Sequence, residues 1–291
     1  MATLRDIQRR IKSVENTQKI TRAMKLVAAV KLRRAQERIL EARPYAYKMQ
    51  EVLGSLALRS DPQLHPLLAR QETEKKVVVV ISADRGLCGA FNSNIVKRSV
   101  EVIRGAKEAT FTLIVVGRKV RDYYRRRREE FAVRSEYAGF FDRLAYEHAM
   151  EIGQNLVDAY VNEAYDEVLL VYNEFKSPAV QRVMVERLLP IEPLFLPPET
   201  PVVDFIYEPS PEAILDRLLP KHVEVQLYRA LMESLAAEYG ARMTAMDAAT
   251  KNAQEVIELL TIQFNKARQE RITKELLDIV GGAEALRKAQ G

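Results

Sequence analysis

The stretch ARMTAMDAATKNAQEVIELLTIQFNKARQERITKELLDIVGGA, residues 241–283, decides how this chain is built. It belongs to a longer segment, from about Lys221 to Val280, in which no proline interrupts a helical pattern of apolar residues. A helix of this length would be about 90 Å long, because each residue adds about 1.5 Å. No domain that this chain could build is so wide. We therefore predict that the helix leaves the globular part and that its apolar stripe meets a partner outside it.

Apolar residues recur at steps of three or four in both terminal segments, as in amphipathic helices. The predicted C-terminal stripe comprises Tyr228, Met232, Leu235, Tyr239, Met243, Met246, Ala249, Ala253, Val256, Leu260, Phe264 and Ala267. The predicted N-terminal stripe comprises Leu4, Ile7, Ile11, Val14, Ile20, Met24, Val27, Ala28, Leu32, Ala35 and Ile39, and the helix runs to about Leu58. Thr17, Gln18 and Thr21 interrupt this seam. Two such helices at opposite ends of one chain favour an antiparallel coiled coil.

The middle of the chain has a different pattern. Short apolar runs predict strands at Val77–Ile81, Phe111–Val116 and Glu167–Tyr172, and alternation predicts an edge strand at Val180–Leu188. Helices are predicted near 92–107, 118–130 and 140–164. This alternation predicts a small Rossmann-like α/β domain, largely parallel, with an antiparallel pair at one edge.

The predicted fold class is therefore α/β, with a long antiparallel two-helix coiled coil formed by the two termini. We expect an N-terminal coiled-coil helix at 1–58, the α/β domain at 75–190, a proline-rich linker at 190–211 and the C-terminal coiled-coil helix at 212–287.

Charge is distributed unevenly along the chain. Residues 1–43 carry 12 Lys and Arg against 4 Asp and Glu, whereas residues 44–220 carry 23 against 26 and residues 221–291 carry 10 against 10. The basic excess therefore belongs to the N-terminal helix, which could face nucleic acid, an acidic surface or an anionic partner subunit. The single cysteine, Cys88, excludes a disulfide within the chain. The N-terminal sequence lacks the apolar core of a signal peptide, and the apolar runs are too short to span a bilayer.

The turn Ser82–Asn92 follows a predicted strand and precedes a helix, which is where phosphate-binding loops lie. Its glycine spacing matches neither of the common phosphate-binding patterns, and no lysine follows the glycines, so a structural turn is the favoured interpretation. Cys88 in this turn is interpreted as a packed residue rather than a nucleophile. The three histidines, His65, His148 and His222, lie far apart and lack a catalytic or metal-binding context.

The segment Arg118–Arg128 interleaves basic residues with tyrosines. Such a pattern could bind RNA or phosphates. The favoured alternative is a solvated helix face on which arginine stems cover apolar surface.

Three segments together resemble one family. They are Thr17–Ala28 (TQKITRAMKLVA), Ser82–Asn92 (SADRGLCGAFN), and Ala241–Ala253 continued through Asn265–Gln269 to Ile272–Ala285. Their sequences are similar to those of the gamma subunit of the rotary F-type ATP synthase of bacteria, and the resemblance covers essentially the whole chain. The C-terminal motif is the most specific part, with Gly282 and Ala283 in the expected places.

The resemblance implies a central-stalk rotor. In that family the two terminal helices turn inside a ring of alpha and beta subunits, and the α/β domain contacts the epsilon subunit and the membrane ring of c subunits. Rotation couples proton translocation to ATP synthesis or hydrolysis at the cytoplasmic face of the cell membrane, where the subunit is peripheral. The family implies no catalytic residue, cofactor or metal in this chain. The positions matched to coupling and partner contact are Met24, Arg242, Gln269, Thr273 and Glu275.

Two other functional classes remain open from the residues alone. A coiled-coil protein that binds nucleic acid would use the same basic helix and would bind in a salt-dependent manner. A nucleotide-dependent α/β enzyme would need a working phosphate loop at Ser82–Asn92.

Overall fold

The computed structural model describes residues 3–57, 65–69, 74–106, 109–162, 165–192, 208 and 210–289. The helices within these ranges are α1 (Leu4–Ala57), α2 (Phe91–Gly105), α3 (Arg118–Arg125), α4 (Tyr146–Val161) and α5 (Pro211–Ala289), with a 3-10 turn at Phe141–Arg143. The strands are β1 (Lys75–Ile81), β2 (Thr110–Val116), β3 (Ala132–Tyr137), β4 (Glu167–Phe175) and β5 (Gln181–Leu189). Pro44 lies inside α1 and Pro220 inside α5, and both helices continue past them.

The five strands form one sheet in the order β3-β2-β1-β4-β5. β1 pairs in parallel with both β2 and β4, and β2 pairs in parallel with β3. β5 runs antiparallel to β4, with Val171 opposite Val185. The predicted fold class is thus confirmed, including the antiparallel pair at one edge.

The sheet buries both faces, which explains why its central strands are continuously apolar. On one face, Val78 and Val80 pack with residues of α2 and α3 such as Ile95 and Tyr124. On the other face, Val77, Val79 and Ile81 join a larger core. Its members include Leu32 and Leu56 of α1, Ile152 and Leu156 of α4, and Leu227 and Leu231 of α5.

The chain divides into two compact units, one of residues 1–27 with 245–291 and one of residues 28–244. The second unit contains the sheet, its helices and the adjoining parts of α1 and α5. The first contains the outer parts of α1 and α5. In that unit, the α1 side chains that are at least half-buried include a run with regular three-four spacing: Leu4, Ile7, Ile11, Val14, Gln18, Thr21 and Lys25. This is the heptad spacing of a coiled coil. Met24 is half-buried beside this run.

Several sequence predictions are wrong in detail. Ile20 and Val27 are 59% and 56% exposed, so they lie outside the seam, which passes instead through the polar residues Gln18, Thr21 and Lys25. Val256 is likewise exposed, and Ile257 takes its place in the seam. A regular heptad that accepts polar layers fits the backbone better than a purely apolar stripe with uneven steps.

The sequence patterns also missed β3. The predicted helix 118–130 ends at Arg125, and β3 begins at Ala132. The predicted helix 140–164 begins only at Tyr146, after the 3-10 turn. The linker predicted at 190–211 and the helix end predicted near Leu58 fall almost entirely on residues outside the described ranges.

Candidate functional site

The outer parts of α1 and α5 meet through three successive polar contacts. The Gln18 amide donates to Gln254 Oε1 at 2.7 Å, and the hydroxyls of Thr21 and Thr250 lie 2.8 Å apart. Lys25 Nζ pairs with Asp247 Oδ1 at 2.5 Å. The partner on α5 moves backwards as α1 advances, so these contacts show directly that the two helices are antiparallel. They also fix the register, because a slip would leave polar groups in the seam without partners.

Apolar side chains are left on the outer faces of α1. Ile20, Leu26 and Val27 are each more than half exposed. Met24 lies between them in sequence and is half-buried beside the seam. Within the described part of this unit, Ile20, Leu26 and Val27 remain more than half exposed, so their side chains are available to contact another molecule.

The C-terminal part of α5 is the most exposed part of the chain. All side chains from Arg268 to Ala283 are exposed. They include a group of large apolar residues: Ile272, Leu276, Leu277, Ile279 and Val280. Exposed apolar residues in such density mark an interaction surface. An isolated helix in water would gain little from them.

Three of the residues singled out in the sequence lie on this exposed part of α5. Gln269 and Thr273 are one turn apart and share a face. Glu275 pairs with Arg271 at 2.8 Å. The helix therefore presents both polar and apolar groups to its surroundings here.

Arg242 lies in the other unit, and its side chain points inward. Its guanidinium pairs with Glu238 Oε1 at 2.7 Å and donates to the Gly86 carbonyl at 3.1 Å. Only 11% of the Arg242 side chain and 6% of the Glu238 side chain are exposed. Burial raises the pKa of the Glu238 carboxyl, although Arg242 acts in the opposite direction. The structure thus brings the Arg242 side chain to the turn after β1.

The turn after β1 has the position of a phosphate loop but not its electrostatics. The Asp84 carboxylate accepts hydrogen bonds from the backbone N–H of Arg118, at the start of α3, and from Gly139, at 3.0 Å each. The Asp84 carboxylate therefore caps the N-terminal end of α3 and places a negative charge in the turn, where it would repel a phosphate. Gly117, at φ +103, allows the backbone before α3 to pass close to Ser82, since a Cβ at Gly117 would lie 2.4 Å from the Ser82 carbonyl oxygen. This geometry favours the structural interpretation of the turn.

Cys88 is buried in the same turn. The Asn92 amide nitrogen lies 3.1 Å from its sulfur, and burial raises the pKa of the thiol. A thiol that is buried and protonated is a poor nucleophile. His222 is also buried, and its pKa is lowered to about 4 by burial first and by Arg229 second. Among the described residues, no group of three or more His, Cys, Asp or Glu could hold a metal ion.

The arginines around α3 are largely engaged with their own domain. Arg125 and Arg128 both pair with Glu136, at 2.7 and 3.0 Å. Arg127 stacks over the Tyr123 ring at 4.0 Å, and Arg121 pairs with Asp122. This arrangement is typical of a solvated helix face rather than of an RNA-binding surface.

These features define a class of protein: a two-helix antiparallel coiled coil, with exposed apolar surfaces, that carries an α/β domain. In the described part of the chain, no helix is both long and apolar enough to cross a bilayer. The family model described as ATP synthase matches residues 3–286. The ATP synthase gamma chain of Pelotomaculum thermopropionicum is 48% identical over 286 residues, covering 98% of this chain and 100% of that one.

Solved structures have a similar fold. A chain of the mitochondrial ATP synthase of Euglena gracilis (OSCP/F1/c-ring) superimposes with a TM-score of 0.69 at 20% identity, covering 99% of this chain and 96% of that chain. A chain of the central stalk and c-ring of the Tetrahymena thermophila mitochondrial enzyme has a TM-score of 0.61 at 27% identity, covering 79% of this chain and 99% of that chain. The chain belongs to the ATP synthase gamma-chain family.

Proposed function

We propose that this chain is the central-stalk rotor subunit of an F-type ATP synthase. It couples rotation to ATP synthesis or hydrolysis in a ring of alpha and beta subunits, is needed to assemble that catalytic sector, and carries no catalytic residue of its own. The observation that carries the proposal is the exposed apolar part of α5 between Ile272 and Val280. Such an apolar surface on the exposed part of a helix requires a surrounding partner.

The register of the coiled coil supports this role. Gln254 lies opposite Gln18 and Asp247 opposite Lys25, so residues near 268 of α5 lie opposite the start of α1. The apolar residues beyond that point are therefore carried by a single helix. A single helix with unlike faces can bias each site of a ring differently, because its surface differs in every direction.

Further partners follow from the same proposal. The α/β domain would contact the epsilon subunit and the ring of c subunits, and the protein would lie at the cytoplasmic face of the cell membrane through those subunits, coupled to proton translocation. The basic N-terminal helix would meet acidic surfaces of the alpha and beta subunits, where complementary charge sets orientation. We further propose the functional division 1–58, 75–190, 190–211 and 212–287 for the coiled-coil helices, the domain and the linker.

The assembly test is co-expression of this chain with the alpha and beta subunits of its own organism, followed by the native mass and the ATPase rate of the purified particle. A particle with three alpha subunits, three beta subunits and one copy of this chain is expected. A chain that stays free while alpha and beta assemble would overturn the proposal, and salt-dependent nucleic-acid binding would then be measured.

A matched pair of variants sharpens this test. Leu276→Asp with Leu277→Asp should weaken the particle, since each buried leucine contributes about 1.5–3 kcal/mol to a contact. Val161→Asp is the control, because Val161 is also exposed but lies at the end of α4. Equal assembly of both variants would show that the end of α5 is not the contact surface.

Met24, Arg242, Gln269, Thr273 and Glu275 are proposed as coupling residues. Met24→Lys is the most direct test, because it places a second ammonium group beside Lys25, which already pairs with Asp247. We expect ATP hydrolysis to persist while proton pumping falls, with Met24→Leu as the control. Unchanged pumping in the Lys variant would remove Met24 from the set.

A further inference from the structure

Within the unit of residues 28–244, the turn after β1 contacts α5 directly and is linked to α1 through Asp142. Arg242 of α5 reaches the Gly86 carbonyl at 3.1 Å. Arg85 pairs with Asp142 at 2.8 Å, and Lys31 of α1 pairs with the other oxygen of Asp142 at 3.0 Å. Asp142 therefore bridges the turn to α1, while Arg242 bridges it to α5. We call Lys31, Arg85, Gly86, Asp142, Glu238 and Arg242 the edge clamp.

Close backbone packing surrounds the edge clamp. Ala237 and Ala241 of α5 pack against Ala83, Cys88 and Phe91. A Cβ at Gly240 would lie 3.1 Å from the Phe175 ring and 3.2 Å from Pro178 Cα. Small residues thus bring α5 directly onto the carboxyl ends of β1 and β4, where a larger side chain would hold it away.

The polar groups of the edge clamp are oriented by fixed parts of the fold. Asp84 is tied to the backbone N–H groups of Arg118 and Gly139, and the Ala83 N–H donates to Asn92 Oδ1 at 3.1 Å. The Arg242 side chain is held by Glu238 one turn before it on the same helix. A charged pair that is buried and hydrogen-bonded in this way is rigid, since moving either partner leaves a buried charge without compensation.

We propose that the edge clamp sets the torsional stiffness between the α/β domain and the two long helices, with Arg242 and Asp142 as its positioning residues. This inference rests on the proposed rotor function, because only a rotor must carry torque from the domain into the helices. It assigns the turn Ser82–Asn92 a mechanical role in place of a phosphate-binding one. It also assigns Arg242 an inward role that is independent of any contact with a partner subunit.

The test measures stiffness in the assembled particle. The ring of alpha and beta subunits is immobilised, and a bead is attached to the α/β domain through Arg126→Cys, an exposed position on the chain segment after α3, in a Cys88→Ser background. The angular variance of the bead during pauses is inversely proportional to torsional stiffness. Glu238→Met combined with Arg242→Leu removes the buried pair without stranding a charge, and Asp142→Asn removes the bridge at a half-exposed position.

We expect the double variant to increase the angular variance about twofold and Asp142→Asn to increase it by a smaller factor, because the Glu238–Arg242 pair is buried whereas Asp142 is half exposed and solvent weakens its ion pairs. Glu37→Gln is the control, since the Glu37 carboxylate pairs with Arg33 at an exposed position on α1. Variance equal to that of the control in both variants would overturn the proposal. If the double variant does not assemble, Asp142→Asn alone decides.

A second readout does not depend on assembly. Amide hydrogen exchange in the free full-length chain should be several-fold faster at residues 84–90 in Asp142→Asn than in Glu37→Gln. Equal exchange rates at residues 84–90 in the two variants would by themselves overturn the proposal that the edge clamp holds the turn. A wild-type chain that does not join alpha and beta subunits counts against the rotor function, whereas slow exchange at the turn in both variants counts against the clamp.

Discussion

The same helix, α5, has two different environments along its length. Between Ala230 and Ala241, all residues except Glu233 are buried, including the polar Ser234 and Glu238. Beyond Ala245, only one side of the helix is covered, and from Arg268 onward no described side chain is buried even partly. One helical sequence can therefore be a core element in one unit and a surface element in the next. The residues packed against α5 change along its length, whereas its helical conformation does not.

The two regions are also held together by different interactions. The unit of residues 28–244 relies on apolar cores on both faces of the sheet. The coiled coil has polar layers at Gln18–Gln254, Thr21–Thr250 and Lys25–Asp247 between apolar seam residues. Apolar cores provide most of the stability of a domain, whereas polar layers in a coiled coil specify register at some expense of stability. The following four predictions test this contrast.

The largest difference is expected for leucines removed from the two regions. Leu156→Ala in α4 should destabilise its unit by about 2–5 kcal/mol, because Leu156 is fully buried against the sheet. Leu260→Ala, in the coiled-coil seam, should cost only about 1–2 kcal/mol, since one side of this helix pair faces water. Urea unfolding followed by far-UV circular dichroism measures both, with the exposed Leu259→Ala as the control. Equal losses at Leu156 and Leu260 would contradict the contrast.

A smaller effect is expected for Glu167, the buried carboxylate of β4. It pairs with Lys76 Nζ at 2.6 Å and Arg187 Nε at 2.8 Å. Burial opposes its ionisation, but the hydrogen bonds from Lys76 and Arg187 outweigh burial and lower its pKa below the ordinary value of 4.5. Glu167→Gln should therefore destabilise the protein at neutral pH by about 1.5–3 kcal/mol, as for hydrogen bonds to charged groups.

The pH dependence of this effect has a definite sign. A lowered folded-state pKa stabilises the protein above the unfolded pKa of about 4.5 and loses that contribution as the pH falls through the folded value. The stability difference between wild type and Glu167→Gln should shrink on acidification below about pH 4.5. Unfolding midpoints measured across this range provide the test. A difference that grew with acid would show that Glu167 is not ionised in the folded protein.

The polar layer of the coiled coil should respond in the opposite direction. Replacing Thr21 and Thr250 together with valine should stabilise the coiled coil by about 0.5–1 kcal/mol, because two apolar groups of similar shape replace a hydrogen-bonded pair. Thr21→Val alone should have little effect, since the Thr250 hydroxyl also reaches the Met246 carbonyl at 2.7 Å. Thermal unfolding of the wild type, the double variant and Thr21→Val measures this. Destabilisation by the double replacement would mean that this layer contributes stability as well as register.

The smallest effect is expected for Lys25→Gln. The Lys25–Asp247 pair is partly exposed, and Asp247 is also within 3.3 Å of Lys251. The hydrogen bond from Lys25 is the first cause of the lowered pKa of Asp247, and the bond from Lys251 is the second. Any loss of stability should vanish at about 1 M salt, where the screening length is about 3 Å. A loss that persisted at high salt would indicate a contribution from packing of the lysine stem.

Much of the fold could be predicted because its patterns are local. The short apolar runs within β1, β2 and β4 are typical of strands buried on both faces, and the three-four spacing at both ends is typical of long helices. β3 was missed because its residues, Ala132–Tyr137, mix charged and apolar types, and their strand conformation depends on pairing with β2. The coiled-coil seam was misassigned at Ile20 and Val27, because an apolar residue on a helix does not reveal which face has a partner.

The candidate site was predictable only in part. Glu238 and Arg242 are one helical turn apart, which is a local signal for an ion pair. Nothing in the sequence relates Arg242 to Gly86, or Lys31 to Asp142, because these contacts join residues more than a hundred positions apart. Family resemblance identified Gln269, Thr273 and Glu275, and the structure adds that their side chains are exposed.

Local residue patterns are enough to predict the elements of this protein: two long helices and a buried parallel sheet. Periodicity and residue type are properties of neighbouring residues, and they act before the chain is packed. The tertiary structure alone decided which face of each helix is covered, that polar layers lie in the seam, and that the turn after β1 is joined to both helices. These features depend on contacts between residues that are distant in sequence. Such contacts form, and stabilise the protein, only when the chain has folded.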